Sequence, residues 1–171
     1  SLVQAPIALD FATLLQWDAE RFYEFCQANR KLRIEREAQG TVIIMAPAGA
    51  ESSAANADLT MQLRVWALKE GSGVVFDSSG GFALPDGAVR SPDVSWVRRS
   101  RLAPLTAPQR ARFLPLCPDF VIELRSPTDR PRDLQAKMDE YIANGARLGW
   151  LIDPDARTVD VYRPGQPVVQ L

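Results

Sequence analysis

Residues 118–141 read PDFVIELRSPTDRPRDLQAKMDEY, and the fold turns on this stretch. From Phe120 to Arg125 the side chains alternate: Phe120, Ile122 and Leu124 share one face of a short strand, and Val121, Glu123 and Arg125 share the other. A Ser-Pro-Thr-Asp turn follows. A helix is expected from about Arg130, with Pro131 in its first turn, where a missing N–H costs nothing. Leu134, Met138, Tyr141 and Ile142 form its apolar stripe, and Gly145 ends it. A charge inside so apolar a strand needs a reason, because an ionised carboxylate is costly to bury unless it is paired or coordinates a metal. Glu123 is therefore the first candidate functional group, and the helix places Lys137 and Tyr141 one turn apart beside it.

Outward from this stretch the chain alternates helix and strand signals. Downstream, Leu148 to Ile152 and Val159 to Tyr162 are strands separated by Asp153-Pro154-Asp155. Upstream, Arg98 to Pro118 is a basic loop with room for a short helix after Thr106, and Ser91 to Val97 is a strand with Asp93, Ser95 and Val97 on one face. Val74 to Phe76 and Phe82 to Leu84 are short strands. Glu51 to Glu70 is a long helix, expected to be central, with Leu59, Leu63 and Trp66 on its apolar face and Met61, Val65 and Leu68 widening it. Capping accounts for Ser52 and Ser53 in its first turn. Leu32 to Glu37 and Thr41 to Met45 form a hairpin across Ala38-Gln39-Gly40. Asp10 and Asp18 are expected N-caps of one broken helix or two short ones ending near Asn29. The whole reads as an α/β fold around a mixed sheet flanked by helices, a single domain over 1–171 with N-terminal helices over 1–30 and a core over 31–165.

Composition narrows the chemistry. At 171 residues, 46% hydrophobic, the chain can bury one good core. No apolar run reaches the roughly 18 residues of a membrane span, so a soluble, cytoplasmic protein with no membrane partner is expected. Cys26 and Cys117 form no CxxC pair and read as ordinary thiols. Histidine is absent, which removes Ser-His-Asp and Cys-His catalysis and His-ligated zinc; acid-base work falls to carboxylates, Lys, Tyr or metal-bound water. The net charge of -1 is uneven. From Arg90 to Lys137 ten basic residues face five acidic ones, a distribution that suits a polyanionic partner or a set of solvated arginines.

Two strands thus each carry a carboxylate at matching depth, Asp93 and Glu123. If they are neighbours, the two can hold one hard divalent cation, Mg²⁺ or Mn²⁺, which polarises a phosphoryl oxygen and lowers the pKa of bound water. Lys137 sits at the edge of the helix's apolar stripe, where partial desolvation lowers its pKa and lets it position or deprotonate water. Arg125, two residues beyond Glu123 at a rise of ~6.6 Å, stays protonated and can grip a phosphate. The lesser alternative is that the four form a purely structural buried ion network. Glu35, between Arg33 and Arg36 in the first hairpin strand, reads either as an exposed edge charge or as part of the site.

SPDVSWV, PDFVIELRSP, LQAKMDEYIANGARLGWLIDP and VDVYRPG resemble the Uma-type family of restriction-endonuclease-like proteins, within the PD-(D/E)xK nuclease superfamily. The resemblance runs from about Leu32 to Gly165. It implies an αβββαβ core, Mg²⁺-dependent hydrolysis of DNA and a likeness of Asp93 and Glu123 to the acidic residues of the motif. Arg125 stands where the pattern has Lys, which implies that Lys137 has migrated to the helix; with Tyr141 it resembles the Q-xxx-Y element of related nucleases. Glu35 matches the upstream acidic position, with Glu51 as the weaker candidate for it. The leading expectation is a divalent-metal-dependent DNA endonuclease, acting as a homodimer to cut two strands. The alternatives are a catalytically silent nucleic-acid-binding or dimerisation module, and a two-carboxylate glycosidase, against which the basic surroundings argue.

Overall fold

The computed structural model describes residues 6–10 and 17–171. It opens with β1 (Ile7–Asp10) and α1 (Ala19–Ala28), whose N-cap Asp18 accepts from the Arg21 amide at 2.9 Å. Asp10, expected as a second cap, ends β1 opposite Thr41: its backbone is taken into a ladder instead of opening a helix. The helix expected to follow it would cover 11–16, outside the described residues. The hairpin forms as read, from β2 (Arg33–Arg36) and β3 (Thr41–Met45). Gly40 in its reversal has φ 99°, a left-handed conformation open to glycine.

Next comes α2 (Ala50–Glu70). It was expected to be central, but it lies along one edge, with Ala67 buried and Met61, Val65 and Leu68 exposed. Residues 59, 63 and 67 repeat every four positions and face the sheet, so the broader apolar stripe is only partly used. The chain continues through β4 (Gly73–Asp77), β5 (Phe82–Ala83), β6 (Val89–Arg90) and β7 (Val94–Arg98). The strand expected from Ser91 to Val97 is thus shorter. Pro92 has no N–H for a ladder, and the chain crosses from one sheet to the other at 91–93, leaving Asp93 in a bend at the head of β7. One-turn helices α3 (Arg99–Leu102) and α4 (Ala107–Arg110) fill the basic loop, α4 being closed by a Thr106–Gln109 capping box. Then follow β8 (Phe120–Leu124), α5 (Pro131–Ala143), β9 (Leu148–Asp153), β10 (Thr158–Tyr162) and β11 (Val169–Gln170).

Among the described residues the strands form two sheets. One is antiparallel, in the order β1-β3-β2-β6-β5; the other is mixed, in the order β11-β10-β9-β8-β7-β4, with β8 and β9 parallel. Parallel neighbours need a crossover, and α5 supplies it. In chain order α2, β4, β7, β8, α5 and β9 make the αβββαβ core, and the antiparallel sheet is an addition to it. Between α5 and the mixed sheet lie Val97, Val121, Met138, Tyr141, Leu151 and Tyr162. A second cluster, Phe22, Ile34, Val42 and Val89, seats α1 on the antiparallel sheet. Glu123 shares its strand face with Val121, so alternation points it at α5.

One close approach is set by β4. A Cβ on Gly73 would lie 2.1 Å from Cε2 of the buried Trp96, whose ring meets Trp66 edge-on at 5.6 Å. Gly73→Ala is expected to cost about 1–3 kcal/mol through forced movement of this indole, measured by urea unfolding. An unchanged unfolding midpoint would show that the ring shifts freely.

Candidate active site

The site is assembled from both sheets and α5. Glu123, 3% exposed, receives two bonds on Oε1: the Tyr141 hydroxyl donates at 2.8 Å and the Lys137 ammonium lies 2.9 Å away. Lys137 and Tyr141 are one helical turn apart, and so reach the same oxygen. The ammonium also donates to Glu35 Oε1 at 3.0 Å, where the Ser91 amide donates at 3.0 Å as well. Arg90 Nη1 reaches Glu35 Oε2 at 3.3 Å, and its Nε and Nη2 clamp Glu140 at 2.6 and 3.1 Å. Asp93 Oδ2 accepts from the Leu124 amide at 2.9 Å, which anchors it beside Glu123. Its Oδ1 accepts from Arg33 Nη2 at 3.3 Å and from Asn56 Nδ2 at 3.4 Å.

Burial pushes the Glu123 carboxyl up to about 7; Lys137 opposes the rise, while the charges of Asp93 and Glu35 add to it. For Glu35 burial alone would act the same way, but Lys137, Arg90 and the Ser91 amide outweigh it and hold the group below its usual range. Burial and then Glu123 drive Tyr141 well above the ordinary phenol value. Lys137 departs from expectation. Burial works to lower its pKa, yet Glu123 and Glu35 together outweigh burial and raise it, so it stands as an ammonium and not as a base at neutral pH.

Asp93, Glu123, Glu35, Lys137 and Tyr141 are therefore brought together. Arg125 is not: its guanidinium turns to the end of the neighbouring strand and pairs with Asp153, while its amide donates to the Ile152 carbonyl at 2.8 Å. Glu51 is exposed in the first turn of α2 and makes none of these contacts. Sequence reasoning missed Arg33, Asn56, Arg90 and Glu140 as participants. Arg33 carried a signal, since it lies two residues from Glu35 on the same strand face; for Arg90 and Glu140, fifty positions apart, there was none. The basic run is largely spent on structure. Arg98 and Arg101 pair with Asp119, Arg112 with Glu20 and Arg125 with Asp153.

Beside the cluster a cavity of about 530 Å³ opens between α5 and the antiparallel sheet, with Glu35, Arg90, Lys137, Arg130 and Ile43 in its wall. Among the described residues no three Asp, Glu, His or Cys side chains converge as a cage for an ion. Mg²⁺, however, keeps several waters and takes one or two carboxylates plus substrate oxygens. Asp93 and Glu123 are hard oxygen donors, and Glu123 Oε2 receives none of the bonds above. In kind they fit such an ion.

The αβββαβ core is that of a restriction-endonuclease-like fold, and the chain is a nuclease-like protein. The profile of the Uma2 family, described as "Putative restriction endonuclease", matches residues 19–171, and the chain belongs to that family. It is similar in fold to a crystal structure titled "putative nuclease belonging to DUF820 from Anabaena variabilis ATCC 29413", at 24% identity and a TM-score of 0.69, over 81% of this chain and 75% of that one. No curated protein matches the chain. No helix among the described residues is long and apolar enough to cross a membrane.

Two outcomes follow from the carboxylate's surroundings. Glu123 binds its proton more tightly folded than unfolded, so its contribution to stability is full below its ordinary value near 4.5 and is lost as pH rises through about 7. In protein freed of divalent ions with EDTA, thermal stability relative to Glu123→Gln should fall across that window; parallel pH profiles would refute it. Tyr141→Phe removes a buried donor to a carboxylate and should cost about 1–3 kcal/mol in urea unfolding, while leaving the fold intact by circular dichroism.

Proposed function

We propose that the chain is a divalent-metal-dependent endonuclease that hydrolyses phosphodiester bonds in DNA. The reading rests above all on one observation: a buried carboxylate, Glu123, is held by Lys137 and Tyr141 beside Asp93. Restriction-endonuclease-like proteins generally use divalent metals. Asp93 and Glu123 would hold Mg²⁺ or Mn²⁺, with Glu35 as an outer carboxylate. When bound, such an ion supplies Lewis-acid polarisation of a phosphoryl oxygen.

The chain's own groups do the rest. Tyr141 holds Glu123 in one rotamer. Lys137, as an ammonium, orients the attacking water or a phosphate oxygen as a donor and does not take a proton. Water adds to phosphorus and loses one proton to solvent, one P–O ester bond breaks, and the leaving oxygen takes up one proton from solvent, so that protons balance. Phosphate gripping by Arg125 requires its release from Asp153. Arg130, on the cavity wall at the start of α5, is a further cation on the DNA side. Cleaving both strands calls for two sites, which a homodimer provides.

Arg125 in the position of the motif lysine favours one second reading, a catalytically silent nucleic-acid-binding or dimerisation module, acting in the cytoplasm, that keeps the nuclease fold. Salt-sensitive DNA binding without cleavage under any metal would establish it. The nuclease reading expects Mg²⁺- or Mn²⁺-dependent cleavage of plasmid DNA. Asp93→Asn and Glu123→Gln should lose about 100-fold or more, and Lys137→Gln a similar factor through loss of a donor. Parent-like cleavage by the two carboxylate variants would sink the assignment.

A further inference from the structure

Four carboxylates of the cluster, Glu35, Asp93, Glu123 and Glu140, meet three cations, Arg33, Arg90 and Lys137. The cations are held very differently. Arg90 is clamped on both sides and Lys137, its side chain 11% exposed, bridges two carboxylates. Arg33 contacts Asp93 at 3.3 Å and the Ser91 carbonyl at 3.0 Å, but its Nε is buried with no hydrogen-bond partner. Its side chain is 33% exposed against 10% for Asp93, so it has an open path to solvent. The other neighbour on the same Asp93 oxygen, Asn56, also carries a buried unpartnered atom, Oδ1.

Arg33 thus keeps two hydrogen bonds through one nitrogen while its Nε goes unsatisfied, a costly arrangement that its charge pairing with Asp93 offsets. The charge concerned is that of Asp93, whose Oδ1 lies 3.3 Å from the guanidinium. A divalent ion in place of Arg33 would also cancel the remaining negative charge of the cluster.

From this geometry we infer that Arg33 is a built-in counter-cation, which occupies Asp93 in the metal-free protein and competes with the divalent ion for it. The inference rests on the metal reading above and deepens it: metal entry is coupled to withdrawal of Arg33 toward solvent. Arg33 is here a positioning residue, whose effect is on occupancy of the metal site. The withdrawn guanidinium needs no other role for the coupling to hold.

The test is Mn²⁺ binding to the full chain, read by calorimetry and by loss of the free-ion paramagnetic resonance signal, without DNA. Arg33→Gln should bind Mn²⁺ about tenfold more tightly or better, since a like charge beside the ion is removed. Arg33→Met, which keeps the stem and drops the charge, should do the same if the glutamine variant folds poorly, and Arg33→Lys should stay near the parent. Equal or weaker binding by the neutral variants overturns the inference, as does a lysine variant as tight as the neutral ones. If neither parent nor variants bind Mn²⁺, the metal reading and this one fall together. If the neutral variants bind more tightly yet no form cleaves DNA, the nuclease reading falls and this one stands.

Discussion

The ammonium of Lys137 lies between Glu123 of the mixed sheet and Glu35 of the antiparallel sheet, and the architecture depends on it. Each of these groups is nearly excluded from water, and desolvating such ions costs several kcal/mol apiece, which only mutual pairing and further hydrogen bonds offset. Arg90 repeats the arrangement between Glu35 and Glu140. The two sheets are thus joined at α5 by charges with directional partners, where apolar contact alone would leave the angle between them loosely defined. Removing one member strands the others, and so the cluster behaves as a unit.

The same pairing shapes the chemistry. Three carboxylates so deeply buried cannot all be comfortable as anions, and the strain falls on Glu123, which faces two further negative charges and shares its one cation with Glu35. Glu35 is ionised because two cations and an amide attend it. Lys137 is the cost of that arrangement: its proton is held by the carboxylates that need it. A basic residue's burial does not by itself forecast its protonation; the sign depends on which charges share the burial.

Much of the framework was readable from local pattern. Alternation over 120–124, the three-and-four spacing of Leu134, Met138 and Tyr141, and the hairpin around Gly40 all concern neighbours in the chain, and the structure bears them out. Misreadings fell where a distant partner intervened. Asp10 looked like a cap, but β3 drew it into a strand. The stretch at 91–97 looked continuous, but two different sheets claim its two ends. Met61, Val65 and Leu68 looked like a core face, but the sheet beneath α2 covers the row ending at Ala67 and touches Trp66 through Trp96, leaving those three exposed.

By itself the sequence determined most of the longer elements and which residue types are available: no imidazole, one carboxylate in an apolar strand, a lysine and a tyrosine one turn apart. These are properties of periodicity and composition, local by nature. Only the tertiary structure decided who meets whom. Lys137 finds Glu35 across 102 positions, Arg33 finds Asp93 across 60, and Arg125 turns away to Asp153 although it shares a strand with Glu123. Electrostatic energy falls with distance in space and is indifferent to distance along the chain, so the protonation of Lys137 and the place of Arg33 became legible only once the two sheets were packed.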